Sequence, residues 1–120
     1  MSAPGNAPAT LVRGSRRGVE VVRLGADVGR EQGEALSREL AAALRACPGE
    51  VLLDLRATRH IHYRVAAVVA ELSRSARGGR RLGLVGPSPY VRQILRLAGA
   101  LEDDLREYRS VREAVGARAA

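Results

Sequence analysis

Apolar and polar residues alternate at two different periods along this chain, and the period changes at Gly and Pro residues. Near the N-terminus, residues 10–13 (TLVR) and 18–24 (GVEVVRL) flank the Gly-bounded segment GSRRG. Such a segment between two apolar runs predicts a β-hairpin, and the GADVG that follows breaks its second strand. In that strand we expect an inward pair, Val19 and Val21, and an outward pair, Glu20 and Arg23.

Two stretches in the middle of the chain carry apolar residues at helical spacing. The first runs from about residue 30 to 46 and ends at CPGE, because Pro48 cannot continue a helix. The second follows the junction HIHYR and is expected to end at Gly78 and Gly79. The predicted buried residues are Leu36, Leu40, Ala43 and Leu44 in the first helix, and Val65, Val68, Val69, Leu72 and Ala76 in the second.

A third helix is predicted within residues 88–99 (SPYVRQILRLAG). Ser88 is a suitable N-cap, Pro89 suits the first helical position, and Gly99 can close the end. Its predicted buried face consists of Val91, Ile94, Leu95 and Ala98. A final helix begins in residues 110–115 (SVREAV) with a capping box formed by Ser110 and Glu113.

Short apolar runs between these helices predict strands. Residues 51–55 (VLLDL) show no alternation, which is typical of a central strand covered on both faces, and residues 81–86 (RLGLVG) form a second buried strand. Residues 105–108 (LREY) predict a weak edge strand. Helices that alternate with buried strands indicate an α/β fold, with a mixed β-sheet that begins in the hairpin and continues in parallel βα units.

The length of 120 residues fits one domain, which we place at residues 10–116, with a disordered lead-in at 1–9 and a flexible tail at 117–120. The chain has no Trp or Phe and three Tyr, so its core must consist of Leu, Val and Ala. A single cysteine, Cys47, excludes an internal disulfide and fits a reducing compartment. No run approaches the ~18 apolar residues of a membrane span, and residues 1–10 lack a secretory pattern, so we predict a cytoplasmic protein.

The net charge of +7 raises the question of nucleic-acid binding. All 20 basic residues are Arg, and Ala and Gly are abundant, which is typical of GC-rich coding sequences. The Arg residues are scattered and many alternate with Glu, whereas a phosphate-binding surface concentrates its charge on one face or tail. Nucleic-acid binding is therefore kept only as a distant alternative.

The order of these elements resembles a STAS domain, the module of bacterial anti-sigma factor antagonists. Three segments carry the resemblance, which covers about residues 11–115: VLLDLRATRHI, GGRRLGLVGPSPYVRQILRLAGAL and SVREAV. The resemblance implies a STAS-like fold and a non-enzymatic protein-interaction module without cofactors. It also implies a kinase-like anti-sigma factor as the partner and regulation of transcription as the role.

The chain departs from this family at its functional motif. In the antagonists, an Asp-Ser-Ser-Gly stretch joins the central strand to the next helix, and its second Ser is phosphorylated. Counted from Asp54, the four places fall on His62, Tyr63, Arg64 and Val65. A helix N-terminus accommodates a phosphate on a first-turn hydroxyl, but Arg64 has no hydroxyl and keeps its charge. We therefore expect His62, Tyr63 and Arg64 to form a degenerate phosphosite without the usual switch.

The loop and helix around this motif form the predicted partner-binding surface. It comprises Thr58, Arg59, His60, His62, Tyr63, Arg64, Val65 and Val68. The basic cluster of Arg56, Arg59 and Arg64 would attract an acidic partner, although solvated Arg residues are an equal alternative, as they are for Arg77, Arg80 and Arg81. A second hypothesis is an accessory subunit of an ABC-type transporter, or a scaffold in a signalling assembly. The oligomeric state stays open between a monomer and a weak dimer.

The sequence gives little support for a metal site, a catalytic triad, a phosphate loop or a modified Ser. His60 and His62 supply two metal ligands where zinc needs three or four. Nothing in the sequence fixes a geometry for Cys47, His60 and Asp54 as a nucleophile triad; Asp54 is expected to cap the strand end and Cys47 to be a buried apolar residue. GLVGPSP lacks the spacing and Lys of a phosphate loop. N-cap or solvated roles suit Ser73, Ser75 and Ser88, while Thr58 is a turn residue or, from the resemblance, a second modification site.

Overall fold

The computed structural model describes residues 11–16, 18–47, 49–75, 81–100 and 105–119. The predicted lead-in at 1–9, the Gly78 and Gly79 cap, and Ala76, Arg77 and Arg80 lie outside the described residues. The strands are β1 (Leu11–Arg16), β2 (Val19–Leu24), β3 (Asp27–Val28), β4 (Glu50–Asp54), β5 (His60–Ile61), β6 (Arg81–Val85) and β7 (Arg106–Tyr108). The helices are α1 (Gly33–Ala46), α2 (Tyr63–Ser75), α3 (Pro89–Leu97) and α4 (Val111–Ala119).

Five strands form one mixed sheet in the order β1-β2-β4-β6-β7. The N-terminal hairpin is antiparallel and every other pair in this sheet is parallel, which confirms the predicted fold class. The hairpin turn is tighter than GSRRG suggested, because β1 continues to Arg16 and β2 resumes at Val19. Gly18, with φ of +80°, adopts the left-handed conformation that such a turn requires.

Helices cover both faces of the sheet. On one face, α1, α2 and α3 pack against Val51 and Leu53 of β4 in the main core. On the other face, α4 packs Val111 and Ala114 against Leu52 in a smaller core. All five residues of β4 are consequently buried, as the unbroken apolar run predicted.

The predicted division of β2 into one inward and one outward side is wrong. Val22 and Leu24 face the main core, while Val19 faces the smaller core with Val21 half-buried beside it. Because both faces of the sheet are covered, both sides of β2 carry buried Val or Leu. Arg23 is exposed, as predicted.

A two-stranded parallel pair that the sequence did not indicate lies beyond the main sheet. Asp27 of β3 pairs with His60 of β5, and Val28 pairs with Ile61. Val28 and Ile61 are buried in the main core, so GADVG is a short strand as well as a break. This pair holds the chain between β4 and α2 against the chain between β2 and α1.

The helix ends confirm most of the predicted caps. The Ser88 side chain accepts a hydrogen bond from the Val91 N–H at 3.2 Å, with Pro89 first in α3. At α4, Ser110 Oγ accepts from the Glu113 N–H at 3.0 Å, but Glu113 Oε1 accepts from the N–H of Arg109 rather than of Ser110. The α4 backbone stays helical to Ala119, past the predicted domain end at residue 116.

Glu50, expected in the turn CPGE, is a buried acid in the first position of β4. Its carboxylate accepts a hydrogen bond from the Tyr108 hydroxyl at 3.0 Å, which ties the edge strand β7 to the centre of the sheet. Gly83 between them leaves room for this contact, because a Cβ there would lie 2.8 Å from Glu50 Oε2.

Candidate functional site

The connection from β4 to α2 begins at Asp54, whose carboxylate is 1% exposed. Asp54 Oδ1 accepts hydrogen bonds from the Arg56 N–H at 3.1 Å and from Arg56 Nε at 3.0 Å. Asp54 Oδ2 accepts from Arg56 Nη2 at 2.9 Å and from Arg23 Nε at 3.3 Å. Asp54 thus caps the strand end, as expected, with its hydrogen bonds made to Arg56 and Arg23.

Burial and hydrogen bonding act in opposite directions on the Asp54 carboxyl. Burial by itself raises the pKa of Asp54. The hydrogen bonds and positive charge of Arg56, together with the hydrogen bond from Arg23, lower this pKa by more than burial raises it. The pKa of Asp54 therefore lies below its ordinary value. The same pairing raises the pKa of Arg56.

Thr58 is the last residue of the first half of this connection, residues 54–58. Its Oγ1 donates to the Leu24 carbonyl at 3.3 Å, its N–H donates to the Leu55 carbonyl at 3.0 Å, and the residue is 2% exposed. The expectation that Thr58 contacts a partner or carries a modification does not fit this placement, because its hydroxyl is buried and used in a structural bond.

The second half of the connection, residues 59–64, has a fixed backbone, and its side chains are exposed except for the buried Ile61. The N–H groups of Arg59 and His60 both donate to the Ala26 carbonyl, at 2.8 and 3.0 Å, and that of His62 donates to Val28 at 2.9 Å. The side chains of Arg59, His60, His62 and Arg64 are exposed, and that of Tyr63 is 52% exposed. A rigid backbone that presents exposed Arg and Tyr is typical of a protein-docking surface.

His62 supplies the cap of α2. Its Nδ1 accepts a hydrogen bond from the Arg64 N–H at 3.0 Å, and its carbonyl accepts from the N–H groups of Val65 and Ala66. A side-chain acceptor at this position satisfies one of the free N–H groups of the first turn. His62 therefore does structurally what a short acidic or hydroxyl residue does at most helix starts.

Tyr90 joins this surface from α3, although it was not among the predicted contact residues. Its ring is 53% exposed and meets the His60 ring edge-on, with centroids 5.7 Å apart. The signal was present in the composition: in a chain with three Tyr and no Phe or Trp, Tyr63 and Tyr90 both stand in the first turn of a helix. Parallel strands place the starts of α2 and α3 at the same edge of the sheet.

We call this surface the rim and define it as Arg59, His60, His62, Tyr63, Arg64 and Tyr90. Val65, predicted as a contact residue, is fully buried because it packs into the main core, and Val68 is half-buried. Neither Thr58 nor Val65 therefore presents its side chain to a partner.

The other residues considered for chemistry or modification, Cys47, Ser73 and Ser75, form hydrogen bonds within the protein. Cys47 is buried and its Sγ donates to the carbonyls of Gly18 and Glu50, at 3.5 and 3.6 Å. Ser73 and Ser75 donate to the carbonyls of Ala70 and Leu72 within α2. Within the part of the chain that the structure describes, no group of three or more His, Cys, Asp or Glu could hold a metal ion.

Comparison with known proteins places the chain in a family. The family model described as "Mlab, STAS domain" matches residues 12–107. The chain belongs to the STAS domain family. This confirms the resemblance found in the sequence. No curated protein sequence matches the chain.

Solved structures share the fold at low identity. An anti-sigma factor antagonist from Mycobacterium paratuberculosis matches with a TM-score of 0.78 at 22% identity, over 95% of this chain and 98% of that one. The anti-sigma factor antagonist SpoIIAA in its unphosphorylated form matches with a TM-score of 0.73 at 18% identity, over 92% and 97%. The murine Solute Carrier 26 family member A9 anion transporter matches at 0.70 and 19%, over 89% of this STAS domain and 19% of the transporter chain.

None of the helices in the described ranges is long and apolar enough to cross a membrane.

Proposed function

We propose that this STAS domain is a non-enzymatic, cytoplasmic protein-interaction module that binds a kinase-like anti-sigma factor through the rim, and so regulates transcription. The observation that carries the proposal is the start of α2, where a fixed backbone presents exposed Tyr63 and Arg64. Anti-sigma factor antagonists among the structural neighbours support the partner class.

The charge of the rim supports a partner with exposed carboxylates. Between Asp54 and Glu71 the chain contains no acidic residue, and Arg59 and Arg64 are exposed there. The positive end of α2 adds to this field. Arg pairs well with carboxylates and Tyr is enriched at interfaces, so the rim suits an acidic protein surface.

We further propose that binding is not controlled by phosphorylation at the usual position. Arg64 is the second residue of α2 and has no hydroxyl, while its N–H is already bonded to His62. The Thr58 hydroxyl is buried and bonded. Incubation with the partner and ATP should leave the mass of the protein unchanged; phosphate on Tyr63 or Thr58, accompanied by loss of the complex, would contradict the proposal.

Co-purification followed by a charge reversal tests the docking surface. Arg64→Glu should weaken the complex with the recovered partner at least about tenfold, because it replaces an attraction with a repulsion. Arg112→Glu is the matched control: Arg112 is also an exposed second residue of a helix, but α4 lies on the opposite face of the sheet. Equal affinities for wild type and Arg64→Glu would show that the rim is not the docking surface.

A second candidate is an accessory subunit of an ABC-type transporter; the match to part of an anion transporter chain supports a link to transport in general. Stable co-purification with an ATPase subunit, in the absence of a kinase-like protein, would support it. Nucleic-acid binding predicts affinity that falls steeply with salt, and heparin retention no greater than that of a scrambled basic control would dismiss it.

A further inference from the structure

The cap at the start of α2 differs from those of α3 and α4, because its acceptor can be lost to protonation. His62 Nδ1 accepts a hydrogen bond from the Arg64 N–H at 3.0 Å. An imidazole nitrogen accepts only while it carries no proton, so this bond belongs to the neutral ring with its proton on Nε2. The caps of α3 and α4 are the hydroxyls of Ser88 and Ser110, which stay acceptors as the pH changes.

Protonation of His62 acts against this helix start in two ways. It turns Nδ1 from an acceptor into a donor, which then faces the Arg64 N–H, another donor. It also places a positive charge at the positive end of α2, two residues before the exposed Arg64. His62 is itself exposed, so its ring can take up a proton from solvent without a change of fold.

The charges around His62 do not compensate for this loss. Its N–H donates to the Val28 carbonyl, which places β3 and the following 3-10 turn, residues 30–32, beside it; a Cβ on Gly33 would lie 3.9 Å from Val65. The charged groups on these elements and on the connection are equal in number, with the acids Asp27, Glu31 and Glu34 and the bases Arg30, Arg59 and Arg64. The other titratable groups are His60, Tyr63 and, from α3, Tyr90. Within the described ranges, no carboxylate forms an ion pair with the His62 ring.

The part of α2 that depends on the ring is short. The His62 carbonyl accepts from the N–H groups of Val65 and Ala66, and both of these residues are fully buried in the main core. Neither contact involves the ring, so the helix from Val65 onward stays packed when the ring is charged. The residues that loosen are Tyr63 and Arg64, which are exposed and belong to the rim.

We propose that His62 is a pH-sensitive cap: its neutral ring holds Tyr63 and Arg64 in the first turn of α2, and protonation releases them. An ordinary imidazole titrates near pH 6.5, so the change falls between about pH 5 and pH 8. Because the bonded ring excludes the proton, the stabilisation is complete above this range and is lost as the pH falls through it. The inference goes beyond the proposed function, since it concerns the protein before any partner binds.

NMR spectroscopy of the whole chain at about pH 7.5 and about pH 5.5 tests the inference. At the higher pH, the Cα chemical shifts and the ¹⁵N heteronuclear NOE of residues 63 and 64 should be those of an ordered helix. At the lower pH, both should move by about half toward the values of an unstructured chain. Residues 111 and 112, at the start of α4, should stay unchanged because the Ser110 cap does not titrate.

Two matched variants assign the response to one ring. His62→Asn supplies a side-chain oxygen that accepts at either pH, so residues 63 and 64 should stay ordered in both conditions. His60→Asn removes the other of the two histidines and should leave the response as in wild type, because His60 is not the cap. Urea unfolding gives a second readout: the midpoint of His62→Asn relative to wild type should be higher at the lower pH than at the higher pH.

Three results would overturn the inference: residues 63 and 64 equally ordered at both pH values, the same loss of order in His62→Asn as in wild type, or a response that disappears in His60→Asn. The proposed function fails separately, when Arg64→Glu leaves the complex with the natural partner intact.

Discussion

The two halves of the connection between β4 and α2 use similar residues for opposite purposes. In residues 54–58, the side chains of Asp54 and Thr58 are buried and form hydrogen bonds within the protein. In residues 59–64, the backbone makes most of the internal bonds, joined by the His62 cap, and the side chains other than the buried Ile61 face solvent. An Arg in the first half, Arg56, neutralises a buried carboxylate, whereas Arg64 in the second half is exposed to solvent.

The identity of a loop residue therefore does not reveal its role, whereas the backbone hydrogen bonds around it do. Changes in the first half should lower stability, and changes in the second half should alter binding with little cost in stability. Four predictions sharpen this contrast, in order of decreasing effect on the free energy of unfolding.

Asp54→Asn should lower the free energy of unfolding by about 2 kcal/mol, because it removes charge-assisted hydrogen bonds to Arg56 and Arg23. Both guanidinium groups stay partly exposed, so no charge is left buried without a partner. Urea denaturation measures the change. Asp27→Asn, at an exposed position of β3, is the control and should stay within about 0.5 kcal/mol of wild type. Equal effects of the two variants would contradict the structural role of Asp54.

The stability difference between wild type and Asp54→Asn should depend on pH. The pKa of Asp54 is lowered in the folded state, so its contribution is complete above the unfolded pKa of about 3.9 and is lost as pH falls through the lower folded value. Urea midpoints should therefore differ by a constant amount above about pH 5 and converge below about pH 4. A difference that grew on acidification would have the wrong sign.

Thr58→Val should lower the free energy of unfolding by about 1 kcal/mol, because the shape is kept but the hydrogen bond to the Leu24 carbonyl is lost in a buried position. Ser75→Ala, which removes an exposed hydroxyl from α2, should change it by less than about 0.5 kcal/mol. A Thr58→Val protein as stable as wild type would contradict the structural role of the buried Thr58 hydroxyl.

His62→Asp should raise the free energy of unfolding by about 0.5 kcal/mol, because a carboxylate is a better cap and interacts favourably with the positive end of α2. The same change should weaken binding of an acidic partner, which separates stability from docking at one residue. His60→Asp, two residues earlier and not a cap, should bring no such gain in thermal or urea unfolding. A gain in both variants would point to net charge instead of capping.

Most elements could be predicted because their patterns are local. The stripe of Leu36, Leu40, Ala43 and Leu44 and the unbroken run of β4 are buried as expected, and the Ser88 cap is formed. The pair of β3 and β5 could not be predicted, since a strand of two residues is too short to show a period. The inner face of β2 was predicted wrongly because a sequence does not show that both faces of its sheet are covered.

The candidate site could likewise be predicted only in part. The exposed positions of the rim followed from the family resemblance and from the count after Asp54. The burial of Thr58 and Val65, the cap made by His62 and the presence of Tyr90 did not. Each of these depends on a contact between segments that are distant in the sequence or on which side of a turn faces the core.

Three properties could be read directly from the amino-acid chain: the α/β succession of elements, the core of Leu, Val and Ala, and the lack of a side-chain hydroxyl at residue 64. Each of them depends only on periodicity, composition or residue identity. The packing of the fold settles which polar groups of the β4–α2 connection form hydrogen bonds within the protein and which face solvent. The parallel sheet brings distant residues together, because its neighbouring strands end at one edge. Examples are the hydrogen bond from Thr58 to the Leu24 carbonyl and the ring contact between His60 and Tyr90.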